Sequence, residues 1–225
     1  MPKVLAPRRK HTGSASRQTA RQRSVRRLAR ACQFEEVHSL HVQRLALQLF
    51  DSIGRRIGCL PADRITLSDA AVLHDVGRYV RNEDHNKHSY DLIMRAESLA
   101  VSAAERAVIA NIARYHRGPA PRKKHRCYGD LEDGLRRRVV RLAALLRVAD
   151  GFDRGHVSAV QRLETRWTAT TIRITPVPRS PRHEMGIELW GATRKARLLA
   201  RIAARPLEIL YTDGEIAAHI QGADD

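Results

Sequence analysis

Within the stretch TLSDAAVLHDVGRYV (66–80), the run AAVLHDVG (70–77) is apolar on nearly every side when wound at 3.6 residues per turn. A helix that is apolar all round has no face to offer water, so it belongs in the interior of a helical domain. Ser68 stands where a capping residue would open it. Yet the apolar run carries two polar groups side by side, His74 and Asp75. Burying either without a partner costs several kcal/mol, so neighbouring elements must answer them.

The neighbouring segments carry the matching groups. Residues 35–57 set Val42, Leu45, Leu49 and Ile53 in one apolar stripe, and His38 lies on it, four residues before Val42. Residues 103–116 have a stripe of Val108, Ile109 and Ile112, and His116 follows Ile112 by four. Residues 135–150 align Val139, Leu142 and Leu146, and Asp150 falls four after Leu146. Four helices thus each turn an imidazole or a carboxylate inward. One such histidine alone reads as a satisfied core residue. Five groups on four inward faces call either for a mutual hydrogen-bond network or for a metal, and the metal is the simpler sink. Mixed imidazole and carboxylate donors suit a divalent Mn, Fe, Co, Ni or Zn ion better than Mg or Ca.

Outside these helices, Ser24 opens a helical pattern of Val25, Leu28 and Ala29, and 88–99 is a further helix. Residues 117–134, with Gly118, Pro119, Pro121, Gly129 and Gly134, read as a basic loop. After Gly151 the texture changes. Segments 159–167, 170–177 and 185–190 alternate partly, as strands do. Residues 191–204 return to helix, and 207–211 add a strand. The expected fold is mainly α: a basic disordered tail over 1–22, a helical metal-binding domain over 23–156, a small α+β subdomain over 157–215 and a C-terminal tail over 216–225.

The chain has 225 residues and a net charge of +17. Residues 1–30 hold ten basic and no acidic residues, and 117–147 hold ten basic and three acidic, so these two segments account for the whole surplus. The second lies between His116 and Asp150, where it suits a phosphorylated small molecule or a polyphosphate chain. Nucleic acid is weakly supported, because only 4% of residues are aromatic. No apolar run approaches the ~20 residues of a membrane span. Three cysteines without CxxC spacing and a start without an apolar segment point to the cytoplasm. The oligomeric state stays open, a homodimer included.

The ordered set His38, His74-Asp75 and Asp150, in the contexts HSLHV (38–42), VLHDVG (72–77) and LLRVAD (145–150), resembles the HD superfamily of metal-dependent phosphohydrolases. More closely, HVQRLALQLFD (41–51), HNKHSYDLI (85–93), IANIARYHRG (109–118), RLAALLRVADGFDR (141–154) and IELWGATRKARLLARIAARPLEI (187–209) resemble the C-terminal half of the exopolyphosphatase/guanosine pentaphosphatase family. The resemblance covers about residues 24–212.

This resemblance implies an HD-type helical bundle with a small α+β subdomain. His38, His74, Asp75 and Asp150 would hold one metal, and His88 and His116, with His85 near them, would serve a second. It implies hydrolysis of a phosphoanhydride or phosphoester by metal-activated water. Asp75, Lys87 and Arg117 are then the expected catalytic residues, and Lys87, Arg114, Arg117 and Arg154 the expected substrate-binding ones; singly, each of these cations also reads as surface charge. Asp153 would orient a ligand. The family's polyphosphate and alarmone hydrolysis resides in N-terminal actin-like domains, for which residues 1–23 offer no counterpart, so that activity does not carry over. The alternative is a non-catalytic polyphosphate- or alarmone-binding module.

Overall fold

A computed structural model of the chain describes residues 18–222. Residues 1–17 and 223–225, where most of the expected N-terminal tail and the end of the C-terminal one fall, lie outside the described residues. Helices α1 (Ala20–Ala31), α2 (Glu36–Ile53), α3 (Asp63–Leu73), α4 (His85–Arg95), α5 (Ala103–Arg114), the one-turn α6 (Arg126–Gly129) and α7 (Asp133–Gly151) come first. Strands β1 (Val160–Trp167) and β2 (Ile172–Pro178), helices α8 (Gly186–Lys195) and α9 (Arg197–Ala203), and strands β3 (Leu207–Leu210) and β4 (Ile216–Ile220) complete the chain. The sheet runs in the order β1-β2-β3-β4, with β2 and β3 parallel and the outer pairs antiparallel. The architecture is mainly α with a small α+β subdomain at the C-terminal end.

The core is built on α2, α3, α5 and α7. Leu45, Leu49, Leu67, Leu73, Ile109, Ile112, Leu142 and Leu146 are fully enclosed there. Every residue from Ala70 to Gly77 is buried, as an all-round apolar segment requires.

Several boundaries differ from the sequence expectation. The first helix starts earlier, because Thr19 and Gln22 close a reciprocal capping box. Ser24 is instead buried inside α1, where its hydroxyl donates to the Arg21 carbonyl and accepts from the Ala100 amide. Ser68 lies mid-helix, its hydroxyl accepting from Gln43 Nε2, and α3 begins at Asp63. The helix also stops sooner: Leu73 ends α3, and Val76–Tyr79 form a 3-10 turn. The segment 185–190 is the first part of α8, because Leu189 and Ala192 bury one helical face. Residues 216–220 are not tail but strand β4, paired with β3 from Leu207 to Leu210.

Two close backbone approaches fix how the helices around His74 and Asp150 meet. A Cβ on Gly77 would stand 1.9 Å from the His85 carbonyl oxygen and 2.4 Å from the Ser89 amide, so only glycine lets α4 dock on the 3-10 turn. Likewise a Cβ on Gly151 would stand 2.6 Å from Ala192 Cα, and one on Gly191 2.5 Å from the Gly151 oxygen. This glycine pair lets α8 of the C-terminal subdomain lie directly on the end of α7.

Candidate metal centre

His38 comes from α2, His74 and Asp75 from the end of α3, His85 from the first residue of α4, His116 from just beyond α5, and Asp150 from α7. All six are buried. His38 Nε2 lies 3.3 Å from His74 Nε2 and 3.6 Å from Asp150 Oδ1. Asp75 Oδ1 lies 3.1 Å from His85 Nε2, 3.4 Å from His116 Nε2 and 3.6 Å from His74 Nε2. His85 and His116 face each other through Nε2 at 3.4 Å.

The protons on these rings are set from behind. Nδ1 of His74, His85 and His116 sits 2.7, 2.8 and 2.7 Å from the carbonyl oxygens of Ala71, Asn82 and Ala113. A carbonyl only accepts, so each Nδ1 must donate, and in the neutral ring each Nε2 is then a bare lone pair. Arg117 also approaches His85 Nδ1, at 3.3 Å, but the shorter carbonyl contact decides its tautomer. His38 Nδ1 faces Asp153 Oδ2 at 2.8 Å, and the other oxygen of that carboxylate accepts from the Ser158 amide. Arg78 Nε holds Asp75 Oδ2 at 2.6 Å. Among the described residues, buried Asp75 Oδ1 is thus left with no hydrogen-bond donor and faces three lone pairs.

Such an arrangement repels itself unless a cation sits within it. Two donors each about 2.1 Å from one ion stand about 3.0–3.4 Å apart at octahedral or tetrahedral angles, close to the spacings seen here. Three sets of donor atoms meet within 4.8 Å of one another: His38, His74 and Asp75; His74, His116 and Asp150; and Asp75, His85 and His116. The residues present therefore fit a metal.

The ionisation of the site reflects the same demand. Burial works against protonation of His38, but Asp150 and Asp153 outweigh it and raise its pKa to about 9. A proton on His38 answers these two carboxylates. Burial lowers the pKa of His74, and it holds that of His116 well below the usual range, with His74 adding to the effect. Burial opposes ionisation of Asp150, yet Lys195 and the protonated His38 beside it hold its carboxyl well below the ordinary value.

A family model described as Ppx/GppA phosphatase, domain III, matches residues 20–175. The chain belongs to the Ppx/GppA phosphatase domain III family. No curated protein matches it. The match runs from α1 into β2, so every helix that carries a cluster residue lies inside the domain III region, and α8 lies beyond it.

The domain III cluster opens into a cleft of about 360 Å³. Asp75, His85, His116 and Asp150 form its floor, and Arg78, Arg117, Arg147, Arg154, Arg194 and Lys195 surround them. Of the expected site residues, His38, His74, Asp75, His116 and Asp150 converge, and Arg117 and Arg154 line the cleft. His88 does not join them. His85 takes the inward place at the start of α4, and His88 stands in none of the sets of donor atoms that meet within 4.8 Å among the described residues. Lys87 points to solvent and pairs with Asp84 at 2.8 Å. Arg114 stacks over the Tyr90 and Tyr115 rings.

The sequence reading missed Lys195 and His156. Lys195 comes from α8 and ion-pairs with Asp150 Oδ2. His156 stacks on His38 with ring centroids 3.7 Å apart, and its Nδ1 meets Glu35 at 2.8 Å. Lys195 carries no local signal, since its place depends on the Gly151–Gly191 contact. His156 could have been suspected from the run DGFDRGH (150–156), which follows the last cluster aspartate directly.

Proposed function

We propose that this cluster is an HD-type centre for one or two divalent ions, and that the protein is a metal-dependent phosphohydrolase. It cleaves a phosphoanhydride or phosphoester bond in a polyphosphate-like or nucleotide substrate. The observation that carries this reading is Asp75 Oδ1, buried and without a donor among three imidazole lone pairs. His38, His74, Asp75 and Asp150 would hold one ion; Asp75, His85 and His116 would hold a second, with Asp75 shared. Their mixture of nitrogen and oxygen donors suits Mn, Fe, Co, Ni or Zn. When bound, such ions supply Lewis acidity and a water of lowered pKa.

The chain's own groups do the rest. Arg78 fixes one Asp75 oxygen so that the other faces the site. Asp153 orients His38 from behind. Arg117 and Arg154 neutralise phosphoryl oxygens in the cleft, where charge-assisted hydrogen bonds replace water. The test is elemental analysis of the purified chain, followed by phosphate release from a panel of phosphoanhydrides and phosphoesters. Asp75→Ala is expected to abolish release; unchanged activity in that variant would sink the mechanism.

One contact favours a second reading, a polyanion-binding module without catalysis. The Lys195 ammonium already pairs with Asp150 through Oδ2 while Oδ1 faces His38 and His74, so the chain itself neutralises this carboxylate. Metal-free protein that binds polyphosphate in a salt-sensitive way would favour the module.

A further inference from the structure

The cleft has one wall that phosphate chemistry does not explain. Trp190 lines it from α8 and is 52% exposed. Ile187, one turn earlier on the same helix, is 53% exposed. Arg194 sits over the Trp190 ring with its guanidinium carbon 5.2 Å from the centroid. One guanidinium covers one face of an indole, so apolar ring surface remains open beside a cation-lined floor. A bare phosphate chain offers such a surface nothing to bind. A ligand that joins a flat aromatic group to phosphates satisfies both parts of the cleft at once.

We propose that Trp190 is a stacking platform for a nucleobase, and that the cleft selects nucleoside phosphates over base-free phosphate chains. The inference rests on the phosphates lying in the cleft, as the proposed phosphohydrolase requires. Arg194 backs the indole, and the base lies on its open face. Arg117, Arg154 and Lys195 take the phosphates. The order of these groups along the cleft places base recognition on α8, in the C-terminal subdomain, and the ligand cluster on the helical domain. Substrate choice and hydrolysis then reside in different parts of the chain.

The test reads binding rather than turnover. The chain contains two tryptophans, Trp167 and Trp190, so a Trp167→Phe background leaves Trp190 as the sole tryptophan fluorophore. The probes are a non-hydrolysable α,β-methylene nucleoside diphosphate and methylenediphosphonate, which carries the same charge-bearing unit without a base. The nucleoside probe should quench Trp190 fluorescence and bind roughly tenfold more tightly than methylenediphosphonate. Competition binding in the wild-type background should show Trp190→Ala erasing that preference and Trp190→Phe retaining most of it. Equal affinity for the two probes, or a preference that survives Trp190→Ala, would overturn the platform. Failure of hydrolysis leaves this binding result untouched, and loss of the platform leaves the metal centre standing.

Discussion

His38 and His74 come from different helices, yet their Nε2 atoms meet at 3.3 Å, and both rings are fully buried. His74 Nδ1 is committed to the Ala71 carbonyl, so its Nε2 has only a lone pair to offer. The contact is tolerable when positive charge stands between or on the rings. In the metal-free protein that charge is the proton on His38, whose pKa is raised to about 9 by Asp150 and Asp153 against the effect of burial. In the loaded protein it is the ion.

Metal should therefore stabilise the fold, and removing the Asp75 charge should abolish that effect. At hundredfold excess over Kd, a bound ion adds about 2.7 kcal/mol. For a chain of this size that corresponds to roughly 5–10 °C in Tm. Asp75→Asn should lose this shift, because the charged oxygen that would hold the ion is gone while the shape of the side chain is kept. Thermal melts with and without chelator check both halves. A metal-dependent shift that survives in Asp75→Asn would show that Asp75 does not hold the ion.

Asp153 should matter without touching the ion. It is fully buried and faces His38 Nδ1 on one oxygen and the Ser158 amide on the other. Asp153→Asn keeps the shape but removes the charge that makes His38 a better donor. Metal affinity should fall by about 10–100-fold with the fold intact. Chelator competition measures it; unchanged affinity would reduce Asp153 to a packing role.

The legible part of the site is the part whose determinants are local. His38, His116 and Asp150 sit at helical spacing from apolar residues on their own segments, so periodicity alone turns them inward. The choice between His85 and His88 was not decidable that way. Both lie at the head of α4, and the choice is made by Gly77, whose missing Cβ sets how α4 docks. Lys195 depends on the meeting of Gly151 and Gly191 across 40 positions of sequence. Trp190 was hidden because the alternation in EMGIELW (184–190) imitates a strand, whereas the packing of Leu189 and Ala192 makes it helix. Strand β4 leaves little trace in the sequence, because a short, small-residue strand such as IAAHI (216–220) has almost no pattern of its own and is defined by pairing with β3.

Gly77→Ala should separate the two metal positions. The added methyl would meet the His85 carbonyl oxygen at 1.9 Å and force α4 outward. That strains the Ser89 hydroxyl, which accepts from the Gly77 amide at 2.9 Å and donates to the His74 carbonyl at 2.7 Å. Overpacking of this kind costs about 1–3 kcal/mol. His85 should leave Asp75, while His38, His74 and Asp150 stay in place. Elemental analysis should then show about half the metal of a dinuclear wild type, and full occupancy would contradict the assigned role of α4.

Cys59 gives a pH signature away from the site. It is buried where the chain leaves the turn after α2. Burial, aided by the nearby Asp63 carboxylate, pushes its thiol up to about 12 from an ordinary 9.0. The folded protein thus keeps a proton that the unfolded chain gives up above pH 9. The stability contributed by the neutral thiol is complete below pH 9 and is lost as pH rises from 9 towards 12. The slope for one such proton is about 1.4 kcal/mol per pH unit. Denaturant unfolding at pH 8, 9.5 and 10.5 should show wild type losing stability faster than Cys59→Ala by close to that slope. The variant's own cavity cost is the same at each pH, so the difference in slope isolates the thiol. Parallel pH profiles for the two proteins would show that Cys59 ionises as freely in the fold as outside it.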